Sequence, residues 1–212
     1  DVFSLEIRAA GDTLPTGVTE SPALFMVGND EGGDEIWLAR IAGDSSMVYA
    51  FIGDAYAGAY SIPGCDWNDP DVFTQVVITY DGSIARIYGN GEYLGSWPLG
   101  VDLDIGLSHA LIGADWDDLN DTTTISNFWY GAIDEVRLWT KVLPTSEMAF
   151  RYQNPAKLTK NYSPTGLDPL LGLWRFDRRG SDGDTVPDGS GKGNDAILKE
   201  GAGRLDFTDA GA

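Results

Sequence analysis

Gly131-Ala132-Ile133-Asp134-Glu135-Val136-Arg137-Leu138-Trp139, followed by Thr140-Lys141-Val142-Leu143-Pro144-Thr145-Ser146-Glu147-Met148, is the stretch that decides the fold. Strand alternation puts Asp134, Val136 and Leu138 on one face and Ile133, Glu135, Arg137 and Trp139 on the other. A short helix is expected near residues 145–152, the only helical pattern in the chain. Working outward, strand signals occupy 2–8, 23–27, 35–41, 47–52, 74–80, 84–89, 92–98 and 110–112, with turn residues between them. Asp81-Gly82 and Asn90-Gly91 suit tight hairpins and predict a three-stranded meander. The chain therefore reads as all-β, an antiparallel β-sandwich of one domain spanning 1–212.

Fourteen Lys and Arg stand against 33 Asp and Glu, a formal charge of -19. Such a field excludes nucleic acid as a partner, because the phosphate backbone is attracted by clustered cations. Carboxylates set in Gly- and Asn-containing loops suit solubility, tolerance of salt, or a hard cation such as Ca2+. Cys65 is the single cysteine, so no intrachain disulfide forms. No apolar run approaches the roughly 20 residues of a membrane span, so no membrane insertion is expected. A secreted or cell-surface location would need a signal lying outside these residues.

Beyond the helix, 154–170 reads as a linker rich in Pro, Lys, Asn and Thr. Leu171-Gly172-Leu173-Trp174-Arg175-Phe176-Asp177 is then a strand, Pro187-Asp188-Gly189-Ser190-Gly191-Lys192-Gly193-Asn194-Asp195 a glycine-rich turn, and Ala196-Ile197-Leu198 and Arg204-Leu205-Asp206-Phe207-Thr208-Asp209 two more strands.

These motifs resemble the laminin-G-like and pentraxin-like jelly rolls of the concanavalin A-like lectin/glucanase superfamily. The strand from Gly131 with its small helix is similar to the closing elements of those domains. Trp174-Arg175-Phe176-Asp177, the turn at Asp188, and Leu205-Asp206-Phe207 are similar to their opening ones, followed there by a strand like Phe3-Ser4-Leu5-Glu6-Ile7. The order is rotated here. Three arrangements satisfy the rotation: residues 171–212 complete their own sandwich by circular permutation, donate strands to a neighbouring copy, or belong to a tandem array cut in another register.

The resemblance also implies a binding task. Asp115, Asp117 and Asp118 with the Trp116 carbonyl resemble the pentraxin calcium loop, and the turn with Asn29, Asp30 and Asp34 resembles its partner. Asp188 and Asn194 are a third candidate for Ca2+. An inward-facing Asp134 beside Val136 would need a cation or backbone N–H groups to offset its burial. Trp67, Trp116 and Trp129 fall in or beside polar loops, where a ring stacks on a sugar with help from Asn120. Trp37, Trp97, Trp139 and Trp174 fall in strand patterns and are expected to pack within the protein.

Catalysis is not expected. A retaining glucanase of this fold needs two carboxylates about 5 Å apart on one strand face, spaced like Glu-x-Asp-x-x-Glu. No such spacing occurs, Glu31 and Asp34 flanking Gly32-Gly33 in a turn. His109 is the single histidine, without a Gly-x-Ser-x-Gly elbow, and nothing around Cys65 activates it. The sequence therefore predicts a calcium-assisted module binding polysaccharide or cell-surface glycan. Its alternatives are a structural or adhesive repeat that associates with copies of itself and, less favoured, a glycoside hydrolase.

Overall fold

The computed structural model describes residues 2–28, 35–52, 55–99, 109–118, 121–157, 169–177, 180–181 and 183–198. Two antiparallel sheets build a jelly-roll sandwich. The first has six strands in the order β13 (Leu170–Trp174), β12 (Gly131–Trp139), β1 (Phe3–Gly11), β6 (Thr74–Tyr80), β7 (Ile84–Gly89), β8 (Glu92–Pro98). The second has five: β5 (Ala55–Ser61), β4 (Met47–Ile52), β3 (Glu35–Arg40), β2 (Ala23–Gly28), β9 (His109–Ile112). Two hairpins, β10 (Asp115–Asp118) with β11 (Asp121–Ser126) and β14 (Thr185–Val186) with β15 (Ala196–Ile197), flank the sheets. The helix α1 is Thr145–Gln153.

The core lies where the inner faces meet. Leu5, Ile7, Val76, Ile78, Ile87 and Val136 from the first sheet enclose Leu24, Phe25, Ile36, Leu38, Val48 and Ile52 from the second. Each such side chain contributes about 1.5–3 kcal/mol by leaving water. The expected meander is present, and its second turn has the two positive φ angles of a type I′ hairpin, 50° at Asn90 and 82° at Gly91. Asn90 also accepts the Gln75 N–H at 2.9 Å and donates to the Pro63 carbonyl at 2.8 Å, tying the turn to β6 and to the loop after β5.

The deciding strand departs from simple alternation. Glu6 stands opposite Arg137 and Arg8 opposite Asp134, so Glu135 and Val136 together face Ile7 alone. This β-bulge, with Glu135 at φ 50°, re-phases the strand. Ile133, Val136 and Leu138 all reach the core. Asp134 is therefore not the inward partner of Val136 that alternation predicts; it shares the outer face with Arg137 and Trp139.

The outer face of the six-stranded sheet is roofed by α1. Met148 and Leu143 pack on Val77, Tyr88 and Trp139, and Leu170 and Leu173 join them. Strand β13 pairs with β12 of the same chain, Val136 opposite Trp174 and Leu138 opposite Gly172. Residues 158–168, most of the expected linker, and 199–212, with the expected last strand, lie outside the described residues.

Among the described residues four strands went unpredicted, the two-residue β14 being one. In β5, Ala55-Tyr56-Ala57-Gly58-Ala59-Tyr60-Ser61 lacks β-branched residues, and its strand character comes from pairing with β4. β10 and β11 form from a stretch whose Asp and Asn content suggests a loop.

Candidate functional site: the outer face of the five-stranded sheet

A cluster of charged side chains beneath α1 is closed to solvent. Beneath α1, Arg137 pairs with Glu6 at 3.2 Å and with Glu135, and donates to the Pro155 carbonyl. Arg151 pairs with Glu6 at 2.8 Å and Glu147 at 3.6 Å, its guanidinium 4.6 Å from the centre of the Trp139 ring. The side chains of Glu6, Arg137 and Arg151 are fully buried. This network fastens helix to sheet and offers nothing to a ligand.

Asp134 lies at the margin of that network. Its carboxylate accepts the Glu135 N–H at 2.7 Å. Burial, reinforced by neighbouring Glu135 and only partly offset by that hydrogen bond and Arg8, pushes its carboxyl up to about 7. The turn segment contributes the charge of Asp177 to this environment.

Asp188 organises its own turn. One oxygen accepts the N–H groups of Leu173 (2.9 Å) and Ser190 (2.8 Å), the other the Ser190 hydroxyl (2.7 Å) and the Asn194 N–H (3.1 Å). Partial burial pushes this carboxyl up, but the Ser190, Leu173 and Asn194 hydrogen bonds outweigh it and hold the group below the usual range. Asn194 donates its side-chain N–H to the Leu171 carbonyl at 2.7 Å, and its own carbonyl accepts the Trp174 indole N–H at 2.8 Å. Protein donors thus engage Asp188 where a cation was expected, so the turn closes by itself. Beside it, Arg175, Phe176, Asp177, Asp184 and Leu198 line a cavity of about 540 Å³.

The expected calcium loop is different again. Asp115 through Asp118 form strand β10, with Asp115 opposite Ser126 and Asp118 opposite Asp121. The segment expected as a loop is thus a short strand, with a register irregularity between Trp116 and Asp118. Asn29, Asp30, Asp34 and Asn120 lie outside the described residues. Among the described residues no group of three or more His, Cys, Asp and Glu is arranged to hold a metal.

Two expected sugar-stacking residues are core residues instead. Trp67 is 0% exposed and Trp129 2%, their rings edge to face at 5.2 Å. The Trp67 indole N–H donates to the Met47 carbonyl at 2.9 Å and that of Trp129 to the Ala10 carbonyl at 3.2 Å. Their polar loops lie over the end of the sandwich, and indoles with satisfied N–H groups fill the space beneath. Cys65 is likewise inert, since burial pushes its thiol up to about 11.

What remains is a face that sequence reasoning assigned to packing. In β3, Ile36 and Leu38 enter the core; in β4, Val48, Ala50 and Ile52 do. Trp37, Met47, Tyr49 and Phe51 alternate with them and therefore project from the opposite side of the sheet, half-buried. Register aligns Leu111, Met26, Trp37 and Phe51 in one row across β9, β2, β3 and β4. At the strand spacing of about 4.8 Å this row spans roughly 14 Å. The Trp37 and Tyr49 rings meet edge to face at 5.1 Å, which fixes both. The sequence held the signal: 47–52 and 36–38 are apolar at both parities, so one face of the strands carries aromatics that the core does not take.

Aromatic rings half-buried on strands can stack on the apolar faces of sugar rings, although Met26 and Ala39 of the same face are buried. Residues 13–149 match the family model described as the concanavalin A-like lectin/glucanases superfamily. No curated protein matches the sequence. Among solved structures, a candidate carbohydrate-binding protein from Bacteroides ovatus superposes with TM-score 0.62 at 18% identity over 92% of this chain and 51% of its own, so the chain spans about half that protein's length. The CBM40 of Ruminococcus gnavus IT-sialidase, bound to α2,3-sialyllactose, gives 0.54 at 15% over 70% of this chain and 81% of its own. A SAP-like pentraxin from Limulus polyphemus gives 0.51 at 13% over 79% and 72%. At these identities the solved structures establish the shared fold, and the sequence match sets the family: this chain belongs to the concanavalin A-like lectin/glucanases superfamily.

Proposed function

We propose that the chain is a non-catalytic carbohydrate-binding module that holds a glycan on the outer face of its five-stranded sheet. The observation that carries this reading is the group of half-buried Trp37, Phe51, Tyr49, Met47 and Leu111, which lies with buried Met26 on the side of the sheet away from the core. Carbohydrate-binding modules among the structural neighbours support it at the level of fold. Polysaccharide ligands fit a secreted or surface-displayed protein. Catalysis has little support: Glu6 is sealed under α1, Asp188 is engaged by protein donors, and the Cys65 thiol stays protonated.

Calcium enters this proposal as an assisting ion held by Asp115, Asp117 and Asp118 with the Trp116 carbonyl, together with the segment that carries Asn29, Asp30 and Asp34, a role that rests on the pentraxin resemblance of those segments. The experiment is a polysaccharide panel read by tryptophan fluorescence and calorimetry, with Ca2+ or with chelator. Saturable binding, lost at least tenfold in Trp37→Ala and unchanged in the cavity variant Arg175→Ala, is the expected result. Binding that survives Trp37→Ala but falls in Arg175→Ala would move the site to the cavity. A chelator effect on affinity decides the role of calcium separately.

A further inference from the structure

Among the described residues β13 is the outermost strand on its side of the six-stranded sheet, and an outermost strand presents backbone N–H and C=O groups that no ladder takes up. Pairing with β12 sets which groups those are. Successive residues of an antiparallel strand turn their backbone groups to alternate sides. With Leu173 opposite Arg137 and Gly172 opposite Leu138, it is Leu171 and Leu173 that turn theirs outward, toward the Asp188 turn.

The Leu173 N–H donates to the Asp188 carboxylate at 2.9 Å, and the Leu173 carbonyl accepts the Gly189 N–H at 2.8 Å. These are the two bonds that a residue of a neighbouring antiparallel strand would exchange with Leu173, the carboxylate standing in for that residue's carbonyl. Two residues away, the Leu171 carbonyl accepts the Asn194 side-chain N–H at 2.7 Å and the Ser190 hydroxyl at 3.2 Å. The fit is close. A Cβ on Gly189 would meet the Leu173 side chain at 3.0 Å, and one on Gly172 would strike the Trp174 ring, whose indole N–H reaches the Asn194 carbonyl at 2.8 Å.

We propose that the turn of residues 187–194 is a plug in the place of a further strand, and that the edge it covers is a self-pairing surface whose partner is a second copy of this chain. Symmetry of the edge names that partner. The outward groups of Leu171 and Leu173 are equally spaced about Gly172, so an antiparallel second β13 brings Leu171 opposite Leu173 of the second copy, and Leu173 opposite its Leu171, on a two-fold axis through Gly172. Glycine on that axis leaves the closest Cα approach free of side chains. Leu170–Trp174 also carries no charged residue, the device by which exposed edges usually repel each other. The formal charge of -19 opposes association at long range, so pairing of opened edges strengthens as salt screens it.

The test is sedimentation of the full chain and of its double variant Asp188→Ala, Asn194→Ala over a concentration series in 500 mM NaCl, with hydrogen exchange read at the Leu173 N–H. The unaltered chain is expected to stay monomeric with that amide protected. The double variant, its near-UV circular dichroism unchanged, should exchange the amide about tenfold faster or more when dilute, then pass into a dimer and regain protection as concentration rises. A folded variant that stays monomeric overturns the self-pairing surface, an unaltered chain that dimerises overturns the plug, and aggregates without a discrete dimer overturn the two-fold pairing. If the double variant loses its near-UV signal, Asp188→Asn keeps the side-chain volume while removing one of the two acceptor oxygens, and the same outcomes then decide at higher concentration.

Discussion

Glu6 on β1 and Arg151 on α1 approach to 2.8 Å with neither side chain touching water, and Arg137 of β12 meets the same carboxylate at 3.2 Å. One carboxylate thus joins the helix, the central strand and the bulged strand. Burial, with the neighbouring charge of Arg137, lowers the Arg151 guanidinium, and Glu6 and Glu147 oppose that effect. Removing the carboxylate would strand two buried cations, a larger loss than the pair's own net contribution.

Glu6→Gln is accordingly expected to destabilise the protein by about 3–5 kcal/mol in urea unfolding, although the side-chain volume is kept. Replacing Glu6, Arg137 and Arg151 together by apolar residues should cost less than Glu6→Gln alone. A Glu6→Gln loss below about 1 kcal/mol would show that water or Glu135 and Glu147 compensate both cations.

Asp134 gives a pH dependence of the opposite sense to that of most acidic groups. Its folded carboxyl is raised to about 7 from an ordinary 3.8, so between those values the folded state holds more protons than the unfolded one. Stability therefore falls as pH rises from about 4 to 7 and is then flat with respect to this group. Asp134→Asn retains an oxygen for the Glu135 N–H and removes the charge. It should raise Tm at pH 8 by about 2–4 °C, the equivalent of about 1 kcal/mol in a chain of this size, and change it little at pH 4. Equal shifts at both values would mean the effect is packing rather than charge.

The sandwich was legible because alternating runs and turn dipeptides are local: seven residues from Thr74 to Tyr80 and the Asn90-Gly91 turn need no distant partner to be recognised. The bulge at Glu135 was not, because only the pairing of Glu6 and Arg8 across the sheet reveals the extra residue. The same non-locality misplaced the tryptophans. Polar neighbours of Trp67 and Trp129 in sequence lie above them in space, while the strand residue Trp37 faces away from the core.

The pairing of β13 with β12 carries its own consequence. Leu170 and Leu173 complete the cluster under α1, and β12 becomes an edge without them. Ending the chain at Asn154 should lower Tm by several degrees and cause concentration-dependent association, since an unpaired strand recruits another. If the full-length chain sediments as a monomer while the truncated one associates, β13 closes its own sheet. A full-length chain that itself forms filaments would point to exchange between copies.

The two classes of tryptophan should separate stability from binding. Trp67 fills the sandwich end with its N–H satisfied by Met47, so Trp67→Ala leaves both a cavity and an unpaired carbonyl, and should cost about 3–5 kcal/mol. Trp37 stands half-buried on the outer face with its ring against Tyr49, so Trp37→Ala should cost less, about 1 kcal/mol, near the value of one aromatic pair. Glycan affinity measured well below each variant's melting transition should show the reverse order, with Trp37→Ala losing binding and Trp67→Phe, which keeps most of the buried ring, retaining it. If Trp37→Ala proves as damaging to stability as Trp67→Ala, the outer face is covered by protein in solution, and the aromatic row is part of the structure and no longer a place for sugar.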